Sequence, residues 1–268
     1  MLLQDRNRLA RHRRIMKALM AGREYDERRR REYRDIGGIP TYAIGDIHGR
    51  YDLLVALETA IAADADQFSG PKLLITLGDY VDRGPDSARV ISHLMAPAPA
   101  GFERICLTGN HETAMLDYVD GEITLTQWLA MGAEPTMLSY GLDYSHLVRQ
   151  YPSARKLDEF IRGSLPAEHI AFLRDMPILL DTPNVLFVHA GINPHASIAE
   201  QSDQDLVFIR NRFLKSRAPL PKLIVHGHTQ VKTPEAQGKR LNLDTGAYHS
   251  GSLSAARFHN GTVHVLST

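Results

Sequence analysis

Five short segments gather the residues able to do chemistry. In chain order they are Gly45-Asp46-Ile47-His48-Gly49, Gly78-Asp79-Tyr80-Val81-Asp82-Arg83-Gly84, Gly109-Asn110-His111-Glu112, His189-Ala190-Gly191 and His226-Gly227-His228-Thr229. Carboxylate, imidazole and amide oxygen together suit Mn, Fe or Zn rather than a soft thiolate site. No Cys lies in any of the five, which argues against a structural zinc cluster. Asp46, His48, Asp79, Asn110, His189 and one of His226 and His228 supply six side chains, too many for one tetrahedral ion. They fit two ions sharing a bridging carboxylate, about 3.5–4 Å apart, the arrangement that hydrolyses phosphate esters. Alternate residues of an extended segment share a face, so the pattern alone lets either His226 or His228 point at the site. One such segment by itself reads as an ordinary turn. Five in succession, holding five of the 13 histidines, do not read as coincidence.

Something must bring these segments together. Each follows a short apolar run: Thr41–Ile44, Lys72–Leu77, Arg104–Leu107, Val185–Val188 and Lys222–Val225. Runs of four to six aliphatic or β-branched residues predict buried strands. The five segments then lie at strand carboxyl ends, the edge where ligands bind in open α/β sheets. Helical spacing predicts a helix over 51–63, with Leu53, Leu54, Leu57 and Ile61 on one face. A second is predicted over 87–95, starting at Asp86-Ser87. Residues 113–176 read as mostly helical. The tail alternates with period two on either side of Asn260-Gly261, a hairpin signal. A further run, Arg240–Leu243, ends in Asp244-Thr245-Gly246-Ala247, which reads either as a plain strand-end turn or as a segment that brings Tyr248 and His249 to a substrate. Tyr80 and Trp128 read as packing residues, and Cys106 as a small buried hydrophobe.

Composition removes other classes. The chain has 268 residues, 43% of them hydrophobic, and no net charge, which excludes a disordered chain. No window approaches the ~18 uninterrupted apolar residues of a membrane span. A single Cys allows no internal disulfide, so nothing calls for an oxidising compartment and a cytoplasmic location is expected. Charge is uneven. Residues 1–39 carry 12 Lys+Arg against 6 Asp+Glu, and the remainder carries 19 against 25. Gly37-Gly38-Ile39-Pro40 marks the boundary. Residues 1–39 are read as a basic, helical extension with Arg28-Arg29-Arg30-Arg31 as its most charged run. It is either a solvated helix or a contact for an anionic partner such as RNA, a lipid surface or an acidic protein.

The motifs GDIHG, GDYVDRG, GNHE, HAG and GHT, in that order, resemble the phosphoprotein-phosphatase branch of the calcineurin-like metallophosphoesterases. The resemblance spans about residues 40–268. It is strongest to small bacterial serine/threonine protein phosphatases and symmetrical diadenosine tetraphosphatases. Trp128–Gly132 followed by Ser139-Tyr140-Gly141 is similar to their cap region, and Leu206–Arg210 to their arginine segment, with Phe208 where Trp is expected. The resemblance implies an α/β fold, a β-sandwich flanked by helices, with a helical cap over about 113–176. It implies two divalent metal ions, with Mn expected and Fe or Zn as alternatives. Asp46 and His48 would hold the first and Asp79 would bridge. Asn110, His189 and His228 would hold the second, His228 being chosen because it falls in GHT. Arg83 and Arg210 would grip phosphoryl oxygens, and His111 would be the general acid oriented by Asp82. The implied reaction is in-line attack by metal-activated hydroxide without a phospho-enzyme. Asp82 favours a serine/threonine protein phosphatase. A dinucleoside tetraphosphate hydrolase is the alternative, and a non-catalytic nucleic-acid or partner-binding protein using the basic arm the third reading, which the complete ligand set opposes. Oligomeric state is not legible in the sequence.

Overall fold

A computed structural model of the chain describes residues 28–268. Two sheets face each other. The first holds β1 (Arg31–Tyr33), β5 (Leu179–Asp181), β6 (Val185–Val188), β7 (Leu223–His226), β9 (Arg240–Asn242) and β8 (Glu235–Gln237), in that spatial order. The second holds β11 (Thr262–Ser267), β10 (Ser254–His259), β2 (Thr41–Ile44), β3 (Lys72–Thr76) and β4 (Phe102–Cys106). All five expected apolar runs are strands. The reason they are apolar throughout is that both faces of each sheet are covered. Ala43, Leu73, Ile75, Phe187 and Val225 pack between the sheets. Their chain neighbours Tyr42, Ile44, Leu74, Leu186 and Ile224 turn the other way, into the core shared with the helices.

Parallel pairing sets where the chemistry collects. In one sheet β2, β3 and β4 run parallel, and in the other β6, β7 and β9 do. Six carboxyl ends therefore open on one rim. Parallel neighbours need crossovers, and helices Tyr51–Ala65 and Ser87–Met95 supply two of them. Asp86 takes the N-cap position of the second helix without a side-chain capping bond. At the tail, His259 pairs with Thr262, so Asn260 and Gly261 alone make the turn. Both have positive φ, the backbone a two-residue hairpin turn demands.

Between β4 and β5 the chain is helical, from Asn110–Val119 through Leu125–Leu129, Glu134–Ser139, Tyr144–Gln150 and Ala154–Ser164 to Ala167–Asp175. Trp128 lies wholly buried here, stacked on Tyr118 with ring centroids 5.0 Å apart. Tyr80 and Cys106 are buried too, as packing residues. No helix among the described residues is long and apolar enough to cross a membrane.

The basic run departs from expectation. Arg31–Tyr33 is a strand, parallel to β5, and not part of a helix. The physical reason is tertiary, because β5 offers an open row of backbone groups that this segment satisfies. The arginines are used internally. Arg28 donates to the Ala199 carbonyl, and Arg29 to Thr108 Oγ1 and the Leu173 carbonyl. Arg30 donates to the Asp175 carbonyl, and Arg31 to the Gln201 carbonyl and to Asp203 Oδ1 at 2.7 Å. These hydrogen bonds tie the segment to the domain. The helical reading of residues 1–27 lies outside the described residues. A double-mutant cycle on Arg31→Ala and Asp203→Ala, read by urea unfolding, is expected to give a coupling of about 2 kcal/mol. A coupling near zero would mean that Arg31 is not a structural anchor.

Candidate metal centre and active site

The rim assembles from backbone that few residues tolerate. His48, Asp79, Asp82, Arg83 and His228 all have positive φ, and among the described residues the only other non-glycine with it is Asn260 in the hairpin turn. Each such residue costs on the order of 1–3 kcal/mol, strain that persists only where the surroundings fix it. Glu112 does much of that fixing. Its buried carboxylate accepts backbone N–H groups from Asp79 at 2.8 Å, Tyr80 at 2.7 Å, Val81 at 3.2 Å and Gly109 at 2.9 Å. One side chain thus fastens the loop after β3 to the loop after β4. Close approach finishes the assembly. A Cβ on Gly227 would sit 2.0 Å from Asp46 Oδ1, so only glycine lets β7's loop pass over that carboxylate.

Asp79 lies at the centre. Its Oδ2 is 3.4 Å from His48 Nε2, and its Oδ1 is 3.4 Å from His189 Nε2. Two donor groups therefore share this one carboxylate: His48, Asp79 and His111 on one side, and Asp79, His189 and His228 on the other. Asn110 joins the second, with Oδ1 2.7 Å from His228 Nδ1 and 3.0 Å from His189 Nε2. Asp46, expected beside His48, is buried at the same rim but stands in neither group, and His111 takes that place in the first. The Asp46 oxygens face the His228 backbone N–H at 3.1 and 3.3 Å, and the Asp244 and Asp79 carboxylates are near enough to repel its charge.

The donor chemistry fits cations. His48 Nδ1 donates to the Val81 carbonyl at 2.8 Å and His189 Nδ1 to the Leu77 carbonyl at 3.0 Å. The other nitrogen of each ring then presents a lone pair, the orientation that metal-bound imidazoles take from an outer carbonyl. His189 Nε2 and Asn110 Oδ1 face each other at 3.0 Å, two acceptors with no proton between them. Burial pushes the Asp46 carboxyl well up, helped by the Asp244 and Asp79 charges. It pushes Asp79 up to about 7 and raises Asp244. It lowers His48 and His228 well below the usual imidazole range and His189 to about 4. Crowded carboxylates and neutral imidazoles are what a divalent cation stabilises.

The remaining expected residues gather beside these groups. His111 Nδ1 is 2.7 Å from Asp82 Oδ2, both wholly buried. Arg83 donates to His48 Nε2 and to His111 Nε2, each at 2.9 Å, and its guanidinium lies 5.1 Å from the centre of the Tyr248 ring. Arg210 is exposed and interacts electrostatically with Arg83, Asp79, Asp244 and Asp46. The choice between histidines is legible in the geometry. His226 packs its ring edge-on to Phe213, with centroids 5.1 Å apart, and stands in neither donor group. Burial lowers it to about 4.

Sequence reasoning gave no role to Glu112 or Thr136, and it left the Asp244–Tyr248 segment open between a plain turn and a border of the site. Asp244 follows β9, the sixth strand whose end opens on this rim, and that signal was present in its Leu243-Asp244 ending. Tyr248 sets its ring edge-on to His48, with centroids 5.6 Å apart, and stacks on the exposed His249.

Two groups of side chains able to hold cations thus meet at the rim of a two-sheet sandwich. Residues 39–264 match the calcineurin-like phosphoesterase profile, and the chain belongs to that family. It is similar to the asymmetrical bis(5'-nucleosyl)-tetraphosphatase PrpE of Oceanobacillus iheyensis, 26% identical over 80% of this chain and 87% of that protein. The same-named protein of Geobacillus thermodenitrificans is 28% identical over 80% of this chain and 89% of its own. Among solved structures, a candidate diadenosine tetraphosphatase superposes with a TM-score of 0.63 at 20% identity, over 90% of this chain and 98% of that one. A serine/threonine phosphatase of Saccharomyces cerevisiae does so with 0.51 at 14%, over 98% and 89%. These two structural matches speak for the fold.

The two histidines of the last segment give a test. His228→Ala is expected to weaken Mn²⁺ binding by at least about 100-fold in calorimetric titration, since loss of an outer partner alone costs 10–100-fold. His226→Ala should change stability and leave metal affinity within a few-fold. The reverse pattern would exchange their roles.

Proposed function

We propose that the chain hydrolyses phosphoric monoesters with a poor leaving group, phosphoserine and phosphothreonine in proteins foremost. The observation that carries this reading is the buried His111–Asp82 contact of 2.7 Å, set beside the Arg83 guanidinium. Asp46, His48 and Asp79 would hold one divalent cation, and Asp79, Asn110, His189 and His228 the other. When bound, such ions polarise the phosphoryl group and make a water acidic enough to attack near neutral pH. The chain's own residues do the rest. Arg83 and Arg210 bind phosphoryl oxygens, Arg83 through a planar fork suited to two parallel hydrogen bonds. Once a phosphoryl group draws the Arg83 guanidinium off His111 Nε2, that nitrogen, protonated, would give its proton to the departing alkoxide, while Asp82 holds Nδ1 and with it the ring. An alkoxide needs that proton. A departing nucleotide phosphate, far more acidic, does not.

A second reading, hydrolysis of dinucleoside tetraphosphates, has its own support. The relatives named for that activity align over 80% of this chain. The rim also offers an aromatic pair, Tyr248 and His249, stacked with centroids 4.8 Å apart beside Arg83. Such a pair suits a nucleobase.

The test is kcat/KM for a phosphothreonine peptide against diadenosine tetraphosphate, with added Mn²⁺ and a chelated control. His111→Ala is measured on both. Preference for the peptide, with a His111→Ala loss of about 10²–10⁴-fold on it, supports the first reading. Preference for the dinucleotide, with little loss in His111→Ala, supports the second. Chromatography of the nucleotides then tells cleavage into unequal products from cleavage into two ADP. A His111→Ala enzyme with full activity on both substrates would end the acid role.

A further inference from the structure

We infer that Thr136, which comes from the helical stretch and from none of the five ligand segments, is a positioning residue for the Asp82–His111 pair. Through that pair it sets how well the site expels a poor leaving group. The inference rests on the reading of His111 as proton donor.

Thr136 lies in helix Glu134–Ser139 and is wholly buried. Its Oγ1 donates to Asp82 Oδ1 at 3.0 Å. It accepts from the Asp82 backbone N–H at 2.7 Å and, its single proton being spent, from Ser87 Oγ at 2.9 Å. A hydroxyl has one proton and two lone pairs, so its capacity is fully used. Asp82 is thereby fixed at both ends of its carboxylate. Oδ1 is held by Thr136, and Oδ2 meets His111 Nδ1 at 2.7 Å. Without Thr136, rotation about the Asp82 side chain would carry Oδ2 away from the imidazole.

The same stretch grips the next residue. Arg83 N–H donates to the Gly132 carbonyl at 2.9 Å, and a Cβ on Gly132 would come within 3.1 Å of Arg83 Cγ. Asp82 and Arg83 are consecutive residues at φ 69° and 71°. Strained backbone of this kind holds its shape only under external bonds. The helical stretch provides them to the proton-donating pair and the phosphate-gripping side chain alike.

A purely structural role and a positioning role predict different kinetics. Damage to the fold lowers turnover of every ester alike. Loss of an aligned proton donor matters most for the most basic leaving group. Thr136→Val, Thr136→Ser and His111→Ala are made in the full chain and assayed with Mn²⁺ on phenyl phosphate and on 2,4-dinitrophenyl phosphate. Thr136→Val is expected to lose about tenfold in kcat on phenyl phosphate and less than about twofold on the dinitrophenyl ester, with Thr136→Ser within about twofold of the parent on both. In proton NMR the downfield His111 Nδ1–H signal should weaken in the valine variant and persist in the serine one. Thr136→Cys keeps the volume and a weak donor, and serves the same comparison if the valine variant does not fold. Equal losses on both esters in Thr136→Val, beside unequal losses in His111→Ala, overturn the inference alone. Equal losses in His111→Ala as well overturn the acid role and the inference with it.

Discussion

Glu112 accepts four backbone N–H groups, from Gly109 and from three consecutive residues of the loop after β3. The rest of the site depends on that contact. Successive N–H groups turned to one side make a concave anion site, and this chain fills it with its own carboxylate. The loop must then carry its side chains outward and forward, which sends Asp79 to the centre of the rim and Asp82 towards His111. Burial and the Asp79 charge nonetheless push Glu112 up to about 7, against those hydrogen bonds. A cation on Asp79 would remove much of that repulsion, so the frame and the metal centre are linked through one pair of carboxylates.

The balance of charge points the same way. Asp46, Asp79, Asp82, Glu112 and Asp244 are buried within one rim, and Arg83 and Arg210 are the guanidinium groups that interact with them. Ionised, the carboxylates exceed those cations by three charges. Two divalent ions would turn that excess into a single positive charge, and a phosphoryl dianion would then find a site that attracts it. Loops held by hydrogen bonds keep these charges in place before substrate arrives, the condition under which fixed charges help a transition state most.

How much of this the sequence disclosed follows from where each signal lies. The candidate ligands were legible as a set because each sits directly after its strand, so run and side chain are read together. His226 against His228 was not, since two residues apart on an extended chain share a face. The resemblance chose His228, and the structure separates the two physically, by the packing of His226 on Phe213 and the place of His228 beside Asp79 and His189. Glu112 was visible as a residue of its segment, but its partners are backbone atoms that no residue type reveals. Thr136 is 54 residues from Asp82, and nothing around it advertises a catalytic partner. Of the four three-residue strands among the described residues, only β9 was read, through its apolar run, and β1, β5 and β8 leave no period. In β1 the charge pattern actively misled, because arginines that suit a solvated helix here reach carbonyl groups and Asp203.

A β-sandwich rim of this kind supplies what any phosphoric ester requires, namely donors for cations and guanidinium groups for phosphoryl oxygens. It does not by itself choose among esters. Choice enters through groups that act on the leaving side, and here these come from two places outside the metal donors. The helical stretch reaches Asp82 and Arg83 through Thr136 and Gly132, while the segment after β9 brings Tyr248 against His48 and Arg83. In the function proposed above, the first would tune delivery of a proton, which an alkoxide needs and a polyphosphate does not. The second would tune contact with a flat ring, which a nucleotide offers and a seryl side chain does not. Because the two touch the site on separate elements, a change on one would leave the other, and the candidate metal donors between them, as they are.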